Sequence, residues 1–186
     1  MTSFTITVDD KEVQDTLKAL SARVGNMRPV LHTIGEGIVE RTKRRFETST
    51  GPDGVKWKPN SAVTLMLFGE GMLSHRNKKG ARSYSYSKQG GELNAKGMDR
   101  LVNKKPLIAD GDLRRQFTIS TLSDSLTVGN TMKYAAIQQF GGKAGRGRKV
   151  TIPARPFLPI HQNGTLYPAE QAEILSALNA YLTDGL

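Results

Sequence analysis

A chain of 186 residues can build one hydrophobic core plus an arm or excursion, and its 37% apolar content lies at the lean end for a globular domain. The absence of cysteine excludes a disulfide framework, a thiolate metal site and a thiol nucleophile, and three histidines (His32, His75, His161) leave little for a zinc or general-base constellation. A net charge of +10 favours an anionic counterpart, whether nucleic acid, a membrane surface or an acidic protein, although solubility alone also accounts for it; no apolar run approaches a membrane span.

Phe4-Thr5-Ile6-Thr7-Val8 alternates at strand period. Asp9 and Asp10 are placed to cap a helix in which Val13, Leu17, Leu20 and Val24 share a face, ended by Gly25-Asn26. Pro29 suits the first turn of a second helix. Leu31, Ile34, Ile38, Thr42 and Phe46 repeat at helical spacing and carry it to about Glu47. Gly35 and Gly37 weaken that helix unless another element approaches closely there. Its far end holds Arg41, Lys43, Arg44 and Arg45, which suit a helix C-terminus or a docking role. Gly51-Pro52-Asp53-Gly54 is a turn. Trp57 follows it, as a lid over a helix end or as an interface anchor. Ser61 to Phe68 reads as a short apolar helix.

From Gly69 to Lys105 glycines recur and apolar residues thin out. Nine basic side chains, among them Arg76, Lys78, Lys79 and Arg82, face only Glu70, Glu92 and Asp99, leaving +6 in this segment. Such a stretch buries too little apolar area to offset its ordering entropy, so a long flexible basic loop or hairpin is expected over about 69–105, with Tyr84 and Tyr86 in its most strand-like part. Leu107-Ile108 re-enters the core, and Asp110 and Asp112 offer caps for a turn holding Leu113. Phe117 to Ser120 and Leu126 to Gly129 alternate around Ser123-Asp124 as a hairpin. Tyr134 to Phe140 makes about two helical turns, with Tyr134, Ile137 and Phe140 on one side. A Gly-Arg-Lys loop runs to Lys149. Pro153, Pro156 and Pro159 then stiffen an extended arm carrying Arg155, Phe157 and Leu158, which must run along an edge or a surface. Pro168 opens a last helix striped by Ile174, Leu175, Leu178, Tyr181 and Leu182.

None of these segments makes a catalytic site. Gly142 to Lys149 lacks the Lys-Ser/Thr ending of a phosphate-binding loop, and no helix-forming run follows it. It reads as a solvated loop, or as a cationic loop for DNA phosphate or an acidic partner through Arg146, Arg148 and Lys149. Asp110 and Asp112 are caps sooner than a carboxylate pair, with no third ligand for a metal. No nucleophile with an orienting acid accompanies Ser74-His75 or His161. Arg155, held between prolines, suits a carboxylate: Asp110 or Asp112 within the chain, or an acid of another subunit. No cofactor is expected.

Three blocks carry a resemblance. They are Gly51-Pro52-Asp53-Gly54 leading to Trp57-Lys58-Pro59; Leu107-Ile108 through Asp110-Gly111-Asp112-Leu113-Arg114; and Tyr134-Ala135 leading to Gln138-Gln139-Phe140-Gly141-Gly142, a basic loop, and Ile152-Pro153-Ala154-Arg155-Pro156-Phe157-Leu158. In this order the chain resembles the phage virion morphogenesis family, which includes tail-completion proteins of Mu-like phages. The resemblance implies a structural protein acting in tail completion or head–tail joining, not an enzyme. It suggests a ring, with six copies expected because tails are sixfold, in contact with tail-tube or neck proteins. DNA is a further, non-specific partner. The expected site is the virion, reached from a host cytoplasm. Trp57, Gln139, Phe140, Arg155, Phe157 and Leu158 are the candidate interface, and Arg76, Lys78, Lys79, Arg82, Arg146, Arg148 and Lys149 the candidate basic contacts. A stand-alone nucleic-acid-binding module is the alternative that charge supports. The expected fold is one α+β domain over 1–186: a small antiparallel sheet, built from the first strand and the 117–128 hairpin, packed on the long second helix, with a C-terminal helix.

Overall fold

Two helices open the part of the chain that the computed structural model describes, residues 10–74 and 93–184. They are α1, Lys11–Gly25, and α2, Arg28–Thr48. The strand expected at Phe4 to Val8 lies outside the described residues, as do Tyr84 and Tyr86. Asp10 precedes α1 but makes no side-chain cap; its carboxylate instead accepts from Gln14 Nε2 at 2.8 Å. Pro29 sits in the first turn of α2, where its missing N–H costs nothing. Ser49 closes that helix in the left-handed conformation (φ 54°).

The apolar spacing of α2 makes it the support for the other elements. Val30, Ile34, Gly35, Ile38, Val39, Thr42 and Phe46 are buried along it. Further on come α3, Ala62–Ser74; α4, Ala95–Val102; a one-turn helix α5, Asp112–Arg115; and the strands β1, Phe117–Thr121, and β2, Leu126–Asn130. The two strands form the expected hairpin, with Ile119 opposite Val128, and they lie on α2. Gly35 is the reason they sit so close: a Cβ there would stand 2.8 Å from Ile119 Cγ2 and 2.9 Å from Leu126 Cδ1. Gly37 meets only the Arg41 side chain of its own helix, so the close approach expected there is confined to Gly35.

The chain continues with α6, Ala135–Phe140; a second hairpin of β3, Gly142–Ala144, and β4, Val150–Ile152, with a single 3-10 turn at Arg146–Arg148 between them; and α7, Pro168–Thr183. The expected loop before Lys149 is thus the tip of a hairpin. The architecture is α+β, with seven helices and two two-stranded antiparallel sheets among the described residues. Along the N-terminal half of α2, Val30, Ile34 and Ile38 pack with Leu126, Val128, Ile174, Ala177, Leu178 and Tyr181. At its C-terminal end Phe46 meets Trp57, Leu113, Ala135 and Phe157. The Phe46 ring lies edge-on to Trp57 (5.4 Å, 80°), and Phe117 is edge-on to Phe157 (6.1 Å, 68°). Such ring pairs add roughly 1 kcal/mol each beyond area burial.

Three expectations change. The α1 stripe is largely exposed: Val13, Leu17 and Val24 face outward, and Leu20 is only half-buried. The loop expected over about 69–105 is helical at both ends, since α3 runs to Ser74 and α4 spans Ala95–Val102, the two helices packing on each other; residues 75–92 lie outside the described residues. In α6 the buried face is Ala135 and Gln139, while Tyr134 and Phe140 are exposed.

Candidate functional site

The proline arm and its anchorage decide what the expected interface residues do. Residues 153–160 cannot form a regular ladder, since three prolines lack an N–H. The arm instead borrows hydrogen bonds from α6. The Gln139 side chain, 2% exposed, accepts from the N–H groups of Phe157 and Leu158, both at 2.9 Å. Its Nε2 donates to the carbonyls of Leu158 (2.9 Å) and Ile160 (3.1 Å). Every donor and acceptor of the amide is used. One residue earlier, the Gln138 carbonyl accepts from the Arg155 N–H at 2.8 Å. Gly141 then turns at φ 73° directly against the arm; a Cβ there would stand 2.8 Å from Ala154 N and 3.0 Å from Ile152 O. Gln138-Gln139-Phe140-Gly141-Gly142 is therefore a clamp: two glutamine contacts that hold the arm, and a glycine that lets it approach.

The arm is closed from the other side by the Gly51–Gly54 turn. The Asp53 carboxylate accepts from Val55 N–H at 3.0 Å, and Gly54 adopts φ 78°. Trp57 emerges from that turn as the expected lid, its Nε1–H donating to the Pro156 carbonyl at 2.8 Å. Arg155 turns toward the next two residues, Nε to the Lys58 carbonyl at 2.8 Å and a terminal N to the Pro59 carbonyl at 2.9 Å. Neither expected carboxylate partner holds it, since Asp112 instead accepts from Arg115 at 2.8 Å. Burial pushes the Arg155 guanidinium below its ordinary pKa.

The candidate interface residues thus divide. Trp57, Gln139, Arg155 and Phe157 are buried within their own domain, Leu158 is half-buried, and Phe140 is exposed. The arm packs inward against the chain's own core, and its segment is not a free docking strip. Among the basic candidates, Arg146, Arg148 and Lys149 are exposed on the tip of the second hairpin, while Arg76, Lys78, Lys79 and Arg82 lie outside the described residues.

One ionic site was not legible as such. Glu170, 3% exposed in the first turn of α7, accepts from Arg41 Nε at 3.0 Å and from Arg45 at 2.9 Å; a second Arg41 nitrogen closes the pair. Arg45 also donates to the Phe157 carbonyl at 3.0 Å. The hydrogen bond to Glu170 raises the Arg41 pKa. Half of the basic cluster at the end of α2 is therefore an internal lock for α7 and the arm. The available signal was the four-residue spacing of Arg41 and Arg45, which puts both on one helix face. No group of three or more His, Asp or Glu side chains with metal-holding geometry occurs among the described residues, and no described helix is long and apolar enough to cross a membrane.

The clamp, the turn that seals it and the Leu107–Arg114 block between them meet in one core, and the sequence model of the phage virion morphogenesis family matches residues 8–89 and 86–183. The chain belongs to the phage virion morphogenesis family. Over 76 residues it is 46% identical to a protein of Haemophilus influenzae described as Mu-like prophage FluMu G protein 2. That match takes in 41% of this chain and 51% of the relative, so it spans about half of the relative's length. No solved structure matches. Membership of the family gives the chain a structural role in phage morphogenesis, associated with the virion or its assembly.

Proposed function

We propose that this virion morphogenesis protein acts in tail completion or head–tail joining, as one subunit of a ring at the tail or neck. The observation that carries the reading is the distribution of exposed apolar side chains. On the paired helices α3 and α4, Val63, Met66, Leu67, Met98 and Val102 are exposed, Val102 by 77%. On α1, Val13, Leu17 and Val24 are too. Single exposed apolar residues are ordinary, but repeated ones along helix faces mark sites of association. Methionines suit a contact that must adapt to non-identical neighbours. With the proline arm folded inward, these helix faces replace it as the surface that meets other copies or tail-tube and neck proteins. Individually weak contacts, repeated around a closed ring, add up without any one interface being strong.

The reading predicts that Met66→Glu combined with Met98→Glu leaves the thermal midpoint of the isolated protein within a few degrees of wild type and blocks its incorporation into particles. Incorporation at the wild-type level by a folded double variant would count against these faces as the assembly surface.

A further inference from the structure

Outside the clamp and the helix faces, the feature with the clearest chemistry is the β3–β4 hairpin. Lys143, Arg146, Arg148 and Lys149 fall within seven residues, all exposed, and no carboxylate among the described residues pairs with any of them. Their neighbourhood in the chain is equally one-sided. Between Ser125 and Ala169 there is no Asp or Glu, against six cations, namely these four with Lys133 and the buried Arg155.

The tip is shaped. Gly145 and Gly147 adopt φ 78° and 70°, and Arg148 itself is left-handed at φ 53°, a conformation that residues with a Cβ rarely adopt. Its N–H donates to the Gly145 carbonyl at 3.0 Å. The root is fixed as well: Lys143 is paired with Thr151 and Ala144 with Val150, and Gly141 abuts Ala154 where the clamp begins. The cations are thus carried on a short finger anchored in the core.

Such a finger is poorly made for a protein surface. Across residues 141–152 Val150 is the one large apolar side chain that is well exposed, and no aromatic residue is present to anchor an interface. A phosphate backbone needs only cations and close main-chain approach, which glycines at the tip permit. We propose that the β3–β4 hairpin grips the phosphate backbone of duplex DNA without reading its sequence. This deepens the assembly reading, which supplies the setting in which DNA passes the protein; the binding itself is a property of the single chain.

The test is a salt titration of the full chain with a fluorescent duplex of about 20 base pairs between about 50 and 200 mM salt. The variant K143Q/R146Q/R148Q/K149Q should lower the log–log salt slope by about 3 to 4, and affinity at the low-salt end by tenfold or more. The control R28Q/K43Q/K58Q/K96Q removes the same charge from exposed positions outside the hairpin and should lose less than half as much. Should the quadruple variant fail to fold, R146Q/R148Q should lower the slope by about 2. Equal losses in hairpin and control variants would overturn the proposal, as would no binding by wild type at low salt. Tighter binding of wild type to polyglutamate than to DNA would also overturn it and assign the finger to an acidic protein surface. Particle incorporation, measured separately, shows whether the assembly reading survives either result.

Discussion

Gln139 and Gly141 show how a short motif becomes structure. The spacing of Tyr134 to Phe140 puts Tyr134, Ile137 and Phe140 on one side of a helix, and the face the chain buries is another one, carrying Ala135 and the Gln139 amide. The reason lies 18 to 21 residues away, where an extended arm with too few N–H groups of its own needs one side chain to satisfy two donors and two acceptors. Gln139→Leu keeps the bulk and removes all four bonds, so it should cost on the order of 3 kcal/mol in urea unfolding, because buried main-chain groups are left unpaired. Gln139→Glu should not restore the loss, since it cannot donate to the Leu158 and Ile160 carbonyls when ionised. Gly141→Ala should cost about 2 kcal/mol or more, combining a positive φ with a main-chain clash. Gly25→Ala, at the end of α1 with nothing within 4 Å of the new methyl, should be neutral or slightly stabilising. Similar costs at both glycines would remove the close-approach explanation.

Tyr167 offers a titration at the same scale. It stacks on His161 at 3.7 Å, and burial raises its pKa above the ordinary tyrosine value near 10. The folded state therefore holds the phenolic proton more tightly than the unfolded state. The stability this contributes is complete below about pH 10 and is lost as pH rises from there through the folded pKa. Tyr167→Phe should leave stability at neutral pH little changed and make the alkaline decline shallower. An identical decline in the variant would show that Tyr167 is not its source.

Among the elements, α2 was legible almost to the residue, because its apolar repeat is long and Pro29 marks its start. The β1–β2 hairpin was legible from alternation on either side of the Ser123-Asp124 turn. The region after residue 69 was not, and the cause is specific. Glycines there read as turn formers, yet Gly69 and Gly97 are buried helical residues, and a Cβ at Gly69 would stand 3.9 Å from Leu101 on the partner helix. Small residues at a helix–helix contact and small residues in a loop look alike in sequence. Asn94 does cap α4, accepting from the Gly97 N–H at 2.9 Å. The docking of α7 depends on Glu170, whose partners lie more than 120 residues earlier. Glu170→Ala leaves Arg41 and Arg45 facing each other without their shared acid. With Arg41 partly open to solvent, the cost should be about 3 kcal/mol, toward the low end for a broken buried pair. Thermal unfolding checks this, and a change under about 0.5 kcal/mol would mean that apolar packing alone seats the helix.

At the scale of the whole molecule, the blocks that carry the family resemblance are those that build the core: a turn, a one-turn helix and a clamp converging on Phe46 and Phe157. Blocks that build a core are constrained by packing on every side, which makes them recognisable in sequence. A proline-stiff arm with Phe and Leu reads as a docking strip, but its aromatic fills the chain's own interior. On the proposed reading, contact with other chains falls to exposed helix faces, which carry no sequence motif. The central claim is a closed domain that assembles through the exposed faces of α1, α3 and α4. A photo-activated cross-linking residue placed at Met66, at Leu17 and, for comparison, at Phe157 during particle assembly tests it most directly. The account predicts adducts with head, neck or tail proteins, or with further copies of the chain, from positions 66 and 17 and none from 157. Adducts from 157, or no adduct with any such component from either helix position, would contradict it.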